Sequence, residues 1–74
     1  MRELTFGEKA VGLSFNPGGN AEVNCAKVMY AAIIDSLHNA QAVATDGDVK
    51  RMYAIAITEL QTSQMWAVKA ITWS

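Results

Sequence analysis

The chain has 74 residues, a formal net charge of −1 and a hydrophobic fraction of 51%. The charge argues against duplex DNA or RNA as the main partner, because such partners require a basic face. With one cysteine (Cys25) and one histidine (His38), the chain has no internal disulfide and is unsuited to a structural zinc site. So short a chain buries a small core, and its apolar excess predicts self-association.

No targeting signal or membrane span is apparent. The opening "MRELTFGEK" lacks the apolar run of a signal peptide. The longest apolar stretch, Met52 to Trp73, is interrupted by Glu59, Gln61, Gln64 and Lys69, whereas a membrane span needs about 20 largely apolar residues. We therefore expect a soluble, intracellular protein with a single domain over residues 1–74.

Residues 1–20 form an N-terminal segment and a loop. We predict a short helix or turn from Glu3 to Lys9, with Leu4 and Phe6 packed against the following chain. The loop sequence is "GLSFNPGGN", in which proline disfavours the α conformation at the preceding asparagine and the paired glycines permit positive φ angles. Asn20 is the expected N-cap of the next helix.

A helix is predicted from Ala21 to about Val43. Its apolar residues recur every three or four positions, which is typical of a packed antiparallel seam. This stripe consists of Val23, Ala26, Tyr30, Ile33, Leu37 and Ala40, and Met29 and Ile34 widen it. The polar residues Lys27, Asp35, His38 and Asn39 fall elsewhere on the helical wheel.

The sequence "ATDGDV" predicts a short turn, with Thr45, Asp46 or Asp48 as the next N-cap. A second helix follows over residues 48–73, which gives an all-α hairpin of two long antiparallel helices. This helix is apolar on most of its circumference. The main apolar run, which is broken by Gln64, consists of Tyr53, Ile57, Leu60, Val68 and Ile71. A run of small residues beside it consists of Ala56, Ser63, Ala67 and Ala70. Ile55 and Trp66 add apolar surface on a further side. One partner helix covers only one side, so we expect a homo-oligomer.

Catalysis has little support from the residue types. No motif has the spacing of a metal site or a catalytic triad, and Asp46 and Asp48, two apart in a turn, are better interpreted as capping residues. His38, on a polar helix face, is expected to be solvated, and Cys25 to be small and partly buried. We therefore expect no enzyme, no metal and no cofactor.

The loop is a candidate ligand site. Glycine amides beside a helix N-terminus favour an anion, because unpaired N–H groups and the helix dipole attract negative charge. Phe15 offers a ring on which a nucleobase can stack, and Lys27 reaches back toward a phosphate. "NPGGN" is also ordinary turn-and-cap sequence, and Phe15 equally suits a hydrophobic plug at the open end of the hairpin. Local chemistry alone favours this structural interpretation.

Two stretches carry a resemblance to a known family. "FNP" precedes the first long helix and "MWAVKAIT" ends the second. Together with "VGLSFNPGGNAEV", Lys27 and Tyr30, and over nearly the whole chain, they resemble the phage anti-CBASS cyclic-nucleotide sponges. That family shares its helical hairpin domain with the Thoeris anti-defence sponges. Gly18 departs from the resemblance, because a serine is expected after the Asn-Pro pair.

The resemblance implies an all-α homo-oligomer, expected to be a hexamer, that binds cyclic oligonucleotides in pockets between protomers. Cyclic dinucleotides such as 3′,3′-cGAMP are the expected ligands, and some members bind cyclic trinucleotides or cyclic ADP-ribose variants. The signal is not cleaved but withheld from the CBASS effector, in the cytoplasm of the infected bacterial host.

On this hypothesis, loops from neighbouring subunits clamp one ligand. Phe15 and its symmetry mate stack on the bases, while Lys27 and the amides near Gly18 to Asn20 meet the phosphates. Arg51 and Lys69 are assigned to a second anionic site, although Arg51 also suits a solvated first turn and Lys69 a seam between protomers. The predicted ligand-binding residues are Phe15, Asn16, Gly18, Gly19, Lys27, Arg51 and Lys69.

A different class of function also fits the sequence. The two-sided apolar second helix is compatible with a self-assembling structural or adaptor protein that binds no nucleotide. An enzyme ranks third, because no acid, base or metal set converges.

Overall fold

Two long helices dominate the computed structural model, which describes residues 2–74. Helix α1 covers Phe6–Ala10, α2 covers Ala21–Val43 and α3 covers Gly47–Ile71, and no strand occurs within residues 2–74. The predicted all-α hairpin with a short N-terminal helix is confirmed. Helix α3 ends two residues before the predicted position 73, because Thr72 caps it. No helix in residues 2–74 has both the length and the apolarity to cross a bilayer.

Side-chain caps start each helix. Asn20 accepts hydrogen bonds from the Glu22 and Val23 amides at 2.8 and 3.1 Å, as predicted. Of the three candidates for α3, Asp46 is the cap. Helix α1 begins at Phe6 rather than near Glu3, because Thr5 and the third helical residue, Glu8, form a reciprocal capping box.

Helix α1 is fastened to the middle of α2. The Asp35 carboxylate accepts a hydrogen bond from the Thr5 hydroxyl and another from the Gly7 amide, both at 2.6 Å. Gly7 lies so close to the Ala31 carbonyl oxygen that a Cβ atom at this position would overlap it. The fold therefore requires glycine at position 7, and the Asp35 carboxylate holds the start of α1 against α2.

The expectation of a solvated His38 is wrong. Its ring stacks on Phe6 with centroids 3.9 Å apart and planes inclined by 7°. The His38 Nδ1 atom is buried and has no hydrogen-bond partner among residues 2–74. The helical wheel could not show this, because the contact depends on where α1 docks.

The centre of the core is Ile34, the one side chain in the described residues that is completely buried. It packs with Val11, Ala31 and Ile57. Sequence patterning placed Ile33 and Met29 in the packed stripe, but these side chains are 50% and 63% exposed. The core is rotated around α2 toward Ala31 because α1 and the turn after it cover that side.

The opposite side of the hairpin is uncovered, and we call it the open face. It consists of two neighbouring apolar grooves between α2 and α3. One is lined by Ala26, Met29, Tyr30, Ile33, Leu60 and Ser63, and the other by Leu37, Val49, Met52, Tyr53 and Ala56. Five residues of the predicted α2 stripe lie here, together with Ala56 and Ser63 of the predicted small-residue run, whereas Val23 and Ile34 of the stripe are buried elsewhere. The molecule is a slab of 44 × 30 × 13 Å, about one helix thick.

Candidate functional site

A groove lies where the loop meets the start of α2 and the end of α3, and we call it the loop groove. Its volume is about 420 Å³. It is lined by Phe15, Asn16, Pro17, Gly18, Asn20, Val23, Lys27, Val68 and Thr72. The antiparallel hairpin places the last turn of α3 beside the first turn of α2, and this arrangement brings Val68 and Thr72 to the loop. Neither residue was predicted for the site. The predicted antiparallel hairpin could have shown them, because it brings the end of α3 next to the loop before α2.

The loop is closed by Asn16. Its side chain donates to the Asn20 carbonyl at 2.8 Å and accepts from the Asn20 amide at 3.1 Å. The Asn16 carbonyl accepts from the Gly19 amide at 3.0 Å, and Gly19 adopts a φ of +59°. The Gly19 and Asn20 amides, predicted to face phosphates, are thus engaged in closing the loop. A Cβ atom at Gly18 would point into open space.

Lys27 is buried, with only 4% of its surface exposed, although the wheel placed it among polar positions. Its ammonium donates to the Gly12 carbonyl at 2.9 Å and to the Phe15 carbonyl. These oxygens compensate for its loss of water. None of the ion pairs within residues 2–74 includes Lys27. The loop groove therefore has a buried positive charge without a carboxylate beside it.

Phe15 projects from the loop with 74% of its surface exposed. The Lys27 ammonium lies 5.7 Å from the centre of its ring, within the range of a cation–π contact. Phe15 is thus no plug at the end of the hairpin. The groove pairs an accessible aromatic ring with a nearby cation, an arrangement suited to a base and a phosphate.

The other two predicted cations lie outside the loop groove. Arg51 is exposed in the second turn of α3 beside Ile55 and Glu59, about 25 Å along the helix from Val68. Within one chain the structure therefore does not bring Arg51 to Phe15.

Lys69, in the last turn of α3, lines a separate cavity of about 450 Å³. Its ammonium is 5.0 Å from the ring centre of Trp66 and 5.7 Å from that of Trp73. The sequence analysis did not predict the tryptophans as neighbours of Lys69. Their spacing of three and four residues from Lys69 could have shown it, because side chains at such a spacing meet on one face of a helix.

The described residues offer no group of three His, Cys, Asp or Glu side chains that could hold a metal ion. Cys25, expected to be partly buried, is exposed. The loop groove itself offers one aromatic face, one buried cation and a closed loop.

Comparison of the sequence with models of known protein families identifies one matching family. The Acb2/Tad1 hairpin domain, which is known for sponging cyclic nucleotide signals and is not a known enzyme family, matches residues 8–72. Comparison with curated proteins and with solved structures gives no match. The matched region begins inside α1 and ends at the cap of α3, so it includes the whole loop groove. The chain belongs to the Acb2/Tad1 hairpin domain family.

Proposed function

We propose that the chain binds a cyclic oligonucleotide immune signal in the loop groove and sequesters it uncleaved, so that CBASS effectors are not activated. Cyclic dinucleotides such as 3′,3′-cGAMP are the first candidates, and cyclic trinucleotides and cyclic ADP-ribose variants the next. Family membership supports the class of ligand. The observation that carries the proposal is the exposed Phe15 ring beside the buried, carboxylate-free Lys27 ammonium.

The two groups supply complementary parts of nucleotide recognition. A base stacked on an aromatic side chain gains about 1–3 kcal/mol. The Lys27 charge attracts a phosphate more strongly than a surface lysine does, because water screens it less. In this proposal the two groups hold the ligand and leave its phosphodiester bonds intact.

The size of the loop groove supports a ligand shared between protomers. Its volume of about 420 Å³ is near the lower end of the roughly 300–1,000 Å³ of small-molecule sites. A ligand of two nucleotides extends beyond it, so a second copy of Phe15 on a neighbouring protomer would meet the second base. Arg51 would contribute to such a site only from a neighbouring protomer, and Lys69 faces a separate cavity with Trp66 and Trp73.

The family is associated with oligomerisation, and we propose a homo-oligomer, specifically a hexamer. We further propose that it acts in the cytoplasm of an infected bacterial host, where the signal is made. The small core of the single chain supports self-association.

Truncation of Phe15 tests the proposal. Phe15→Ala is expected to weaken binding of 3′,3′-cGAMP at least about tenfold by titration calorimetry, because about 1.4 kcal/mol of stacking corresponds to a factor of ten. Phe6→Ala is the matched control, since Phe6 is a partly exposed ring outside the groove. It should bind like the wild type. Equal binding by all three proteins would contradict the assignment of Phe15 to the site, and absence of binding by the wild type would favour a helical adaptor without a ligand.

A further inference from the structure

We infer that the Thr72 hydroxyl accepts a hydrogen bond from the exocyclic amino group of a nucleobase held in the loop groove, which makes Thr72 a residue that determines base specificity. The inference rests on the proposed function, because it concerns the same site. It gives the end of α3 a role in recognition beside those of Phe15 and Lys27.

The position of Thr72 is the first observation. Thr72 lines the loop groove together with Phe15 and Lys27, although it comes from the other end of the chain. It caps α3 and is exposed, so its side chain belongs to the groove and not to the core. The groove therefore receives an ammonium from α2 and a hydroxyl from the end of α3.

The second observation is that the backbone orients the Thr72 hydroxyl. Its Oγ1 atom donates to the Val68 carbonyl at 2.8 Å, with the Lys69 carbonyl 3.5 Å away. The Val68 carbonyl also accepts from the Thr72 amide at 3.0 Å. A hydroxyl has one proton to donate and two lone pairs that accept. Because the proton is engaged by the helix, Thr72 offers a ligand an acceptor.

The third observation is that the other side-chain oxygens of the loop groove are already engaged. The Asn16 Oδ1 atom accepts from the Asn20 amide, and the Asn20 Oδ1 atom accepts from the Glu22 and Val23 amides. Within residues 2–74, the hydrogen bonds of the Thr72 hydroxyl are the two that it donates to the helix. Its oxygen is therefore the side-chain acceptor that the groove leaves for a ligand.

The chemistry of a nucleotide decides which group meets this oxygen. A phosphate oxygen is itself an acceptor, so it is matched by the Lys27 ammonium and not by Thr72. A base stacked on Phe15 uses its face for the ring and keeps its edge for hydrogen bonds. The exocyclic amino groups on that edge are donors. Phe15, Lys27 and Thr72 thus match the face of the base, the phosphate and the edge of the base.

Two matched variants test the inference. Thr72→Val keeps the branched side chain but removes the hydroxyl, and we expect it to bind 3′,3′-cGAMP about five- to tenfold more weakly by titration calorimetry. Thr62→Val is the control, because the exposed Thr62 hydroxyl also bonds the carbonyl four residues earlier, at 3.2 Å, but lies outside the loop groove. It should bind like the wild type. Equal affinities for Thr72→Val and the wild type would overturn the inference.

Thr72→Ser separates the hydroxyl from the packing of the side chain. Serine restores the hydroxyl and lacks the methyl group, so Thr72→Ser should recover an affinity within about threefold of the wild type. A loss as large as that of Thr72→Val would show that the methyl group matters and not the hydroxyl, which would also overturn the inference.

A second measurement changes the ligand and uses the wild-type protein. In an analogue of 3′,3′-cGAMP, purine replaces adenine and hypoxanthine replaces guanine, so that both amino groups are lost. The wild type should bind this analogue about five- to tenfold more weakly than 3′,3′-cGAMP. Thr72→Val should weaken binding of 3′,3′-cGAMP but not of the analogue, as expected for two groups that contact each other. Equal weakening for both ligands would assign the hydroxyl to another donor, such as a ribose 2′-hydroxyl, and overturn the inference.

Failure of this inference and failure of the proposed function give different results. Wild-type protein that gives no heat with any cyclic oligonucleotide contradicts the proposed function. Wild-type protein that binds 3′,3′-cGAMP, with weaker binding by Phe15→Ala and unchanged binding by Thr72→Val, contradicts the role of Thr72 alone and leaves the function in place.

Discussion

The ammonium of Lys27 lies 2.9 Å from the carbonyl oxygen of Gly12, and the same oxygen accepts a hydrogen bond from the Phe15 amide at 2.9 Å. Because Lys27 also bonds the Phe15 carbonyl, one buried side chain of α2 holds both ends of the turn that carries the aromatic ring. Lys27 therefore fixes the loop and supplies the positive charge of the groove.

We expect Lys27→Met to lower the free energy of unfolding by about 1–3 kcal/mol, because methionine keeps an unbranched apolar side chain but loses the hydrogen bonds to the Gly12 and Phe15 carbonyls. Urea unfolding followed by circular dichroism measures this loss. Lys69→Met is the control and should change stability by less than about 0.5 kcal/mol, since Lys69 is exposed. Equal losses for the two variants would show that the buried bonds are not stabilising.

The paired glycines of the loop should differ in their tolerance of alanine. Gly19 has a φ of +59°, so Gly19→Ala is expected to cost about 1–2 kcal/mol of stability. Gly18 has a negative φ and open space around it, and Gly18→Ala should cost almost nothing. Thermal unfolding of the two variants checks the difference; a larger loss for Gly18→Ala would mean that the loop has another conformation.

The contact between α1 and α2 depends on Gly7. A Cβ at this position meets the Ala31 carbonyl oxygen and the Asp35 carboxylate, so Gly7→Ala should displace α1 and cost about 2 kcal/mol or more. Gly47→Ala, in the first turn of α3 with nothing nearby, should be neutral or stabilising. Amide exchange should then be faster in α1 of the Gly7 variant alone; unchanged protection would contradict this docking.

Acid should weaken the N-terminal cap. The Glu8 carboxylate bonds the Arg2 guanidinium and the Thr5 amide, and these bonds lower the pKa of Glu8 from 4.5 to about 2. Since this pKa is lower in the folded chain, the stabilisation is complete above about pH 4.5 and is lost as the pH falls toward 2.

The unfolding temperature of the wild type should therefore exceed that of Glu8→Gln at neutral pH, and the gap should close near pH 2. Glu59→Gln is the control, because Glu59 forms no ion pair within residues 2–74. A gap between wild type and Glu8→Gln that stays constant from pH 6 to pH 2 would be inconsistent with the cap.

Local signals predicted the helices well but the tertiary contacts less so. Asn20 is recognisable because caps act within a few residues. The burial of Lys27 depends on carbonyl groups 12 and 15 residues earlier in the chain. A helical wheel of α2 cannot show this contact, because both carbonyls lie outside the helix. For the same reason Ile34, rather than Ile33, occupies the centre of the core. Arg51 and Lys69 were assigned together to a second anionic site by their charge, although about 27 Å of α3 separates them.

The most direct test of the account is titration of the wild-type protein with cyclic di- and trinucleotides and cyclic ADP-ribose isomers, followed by denaturation and chromatography of the released ligand. We predict saturable binding of at least one cyclic oligonucleotide, such as 3′,3′-cGAMP, and its recovery intact. Absence of heat and of any thermal shift across the whole panel would contradict ligand capture, and recovery of linear products would show a phosphodiesterase instead.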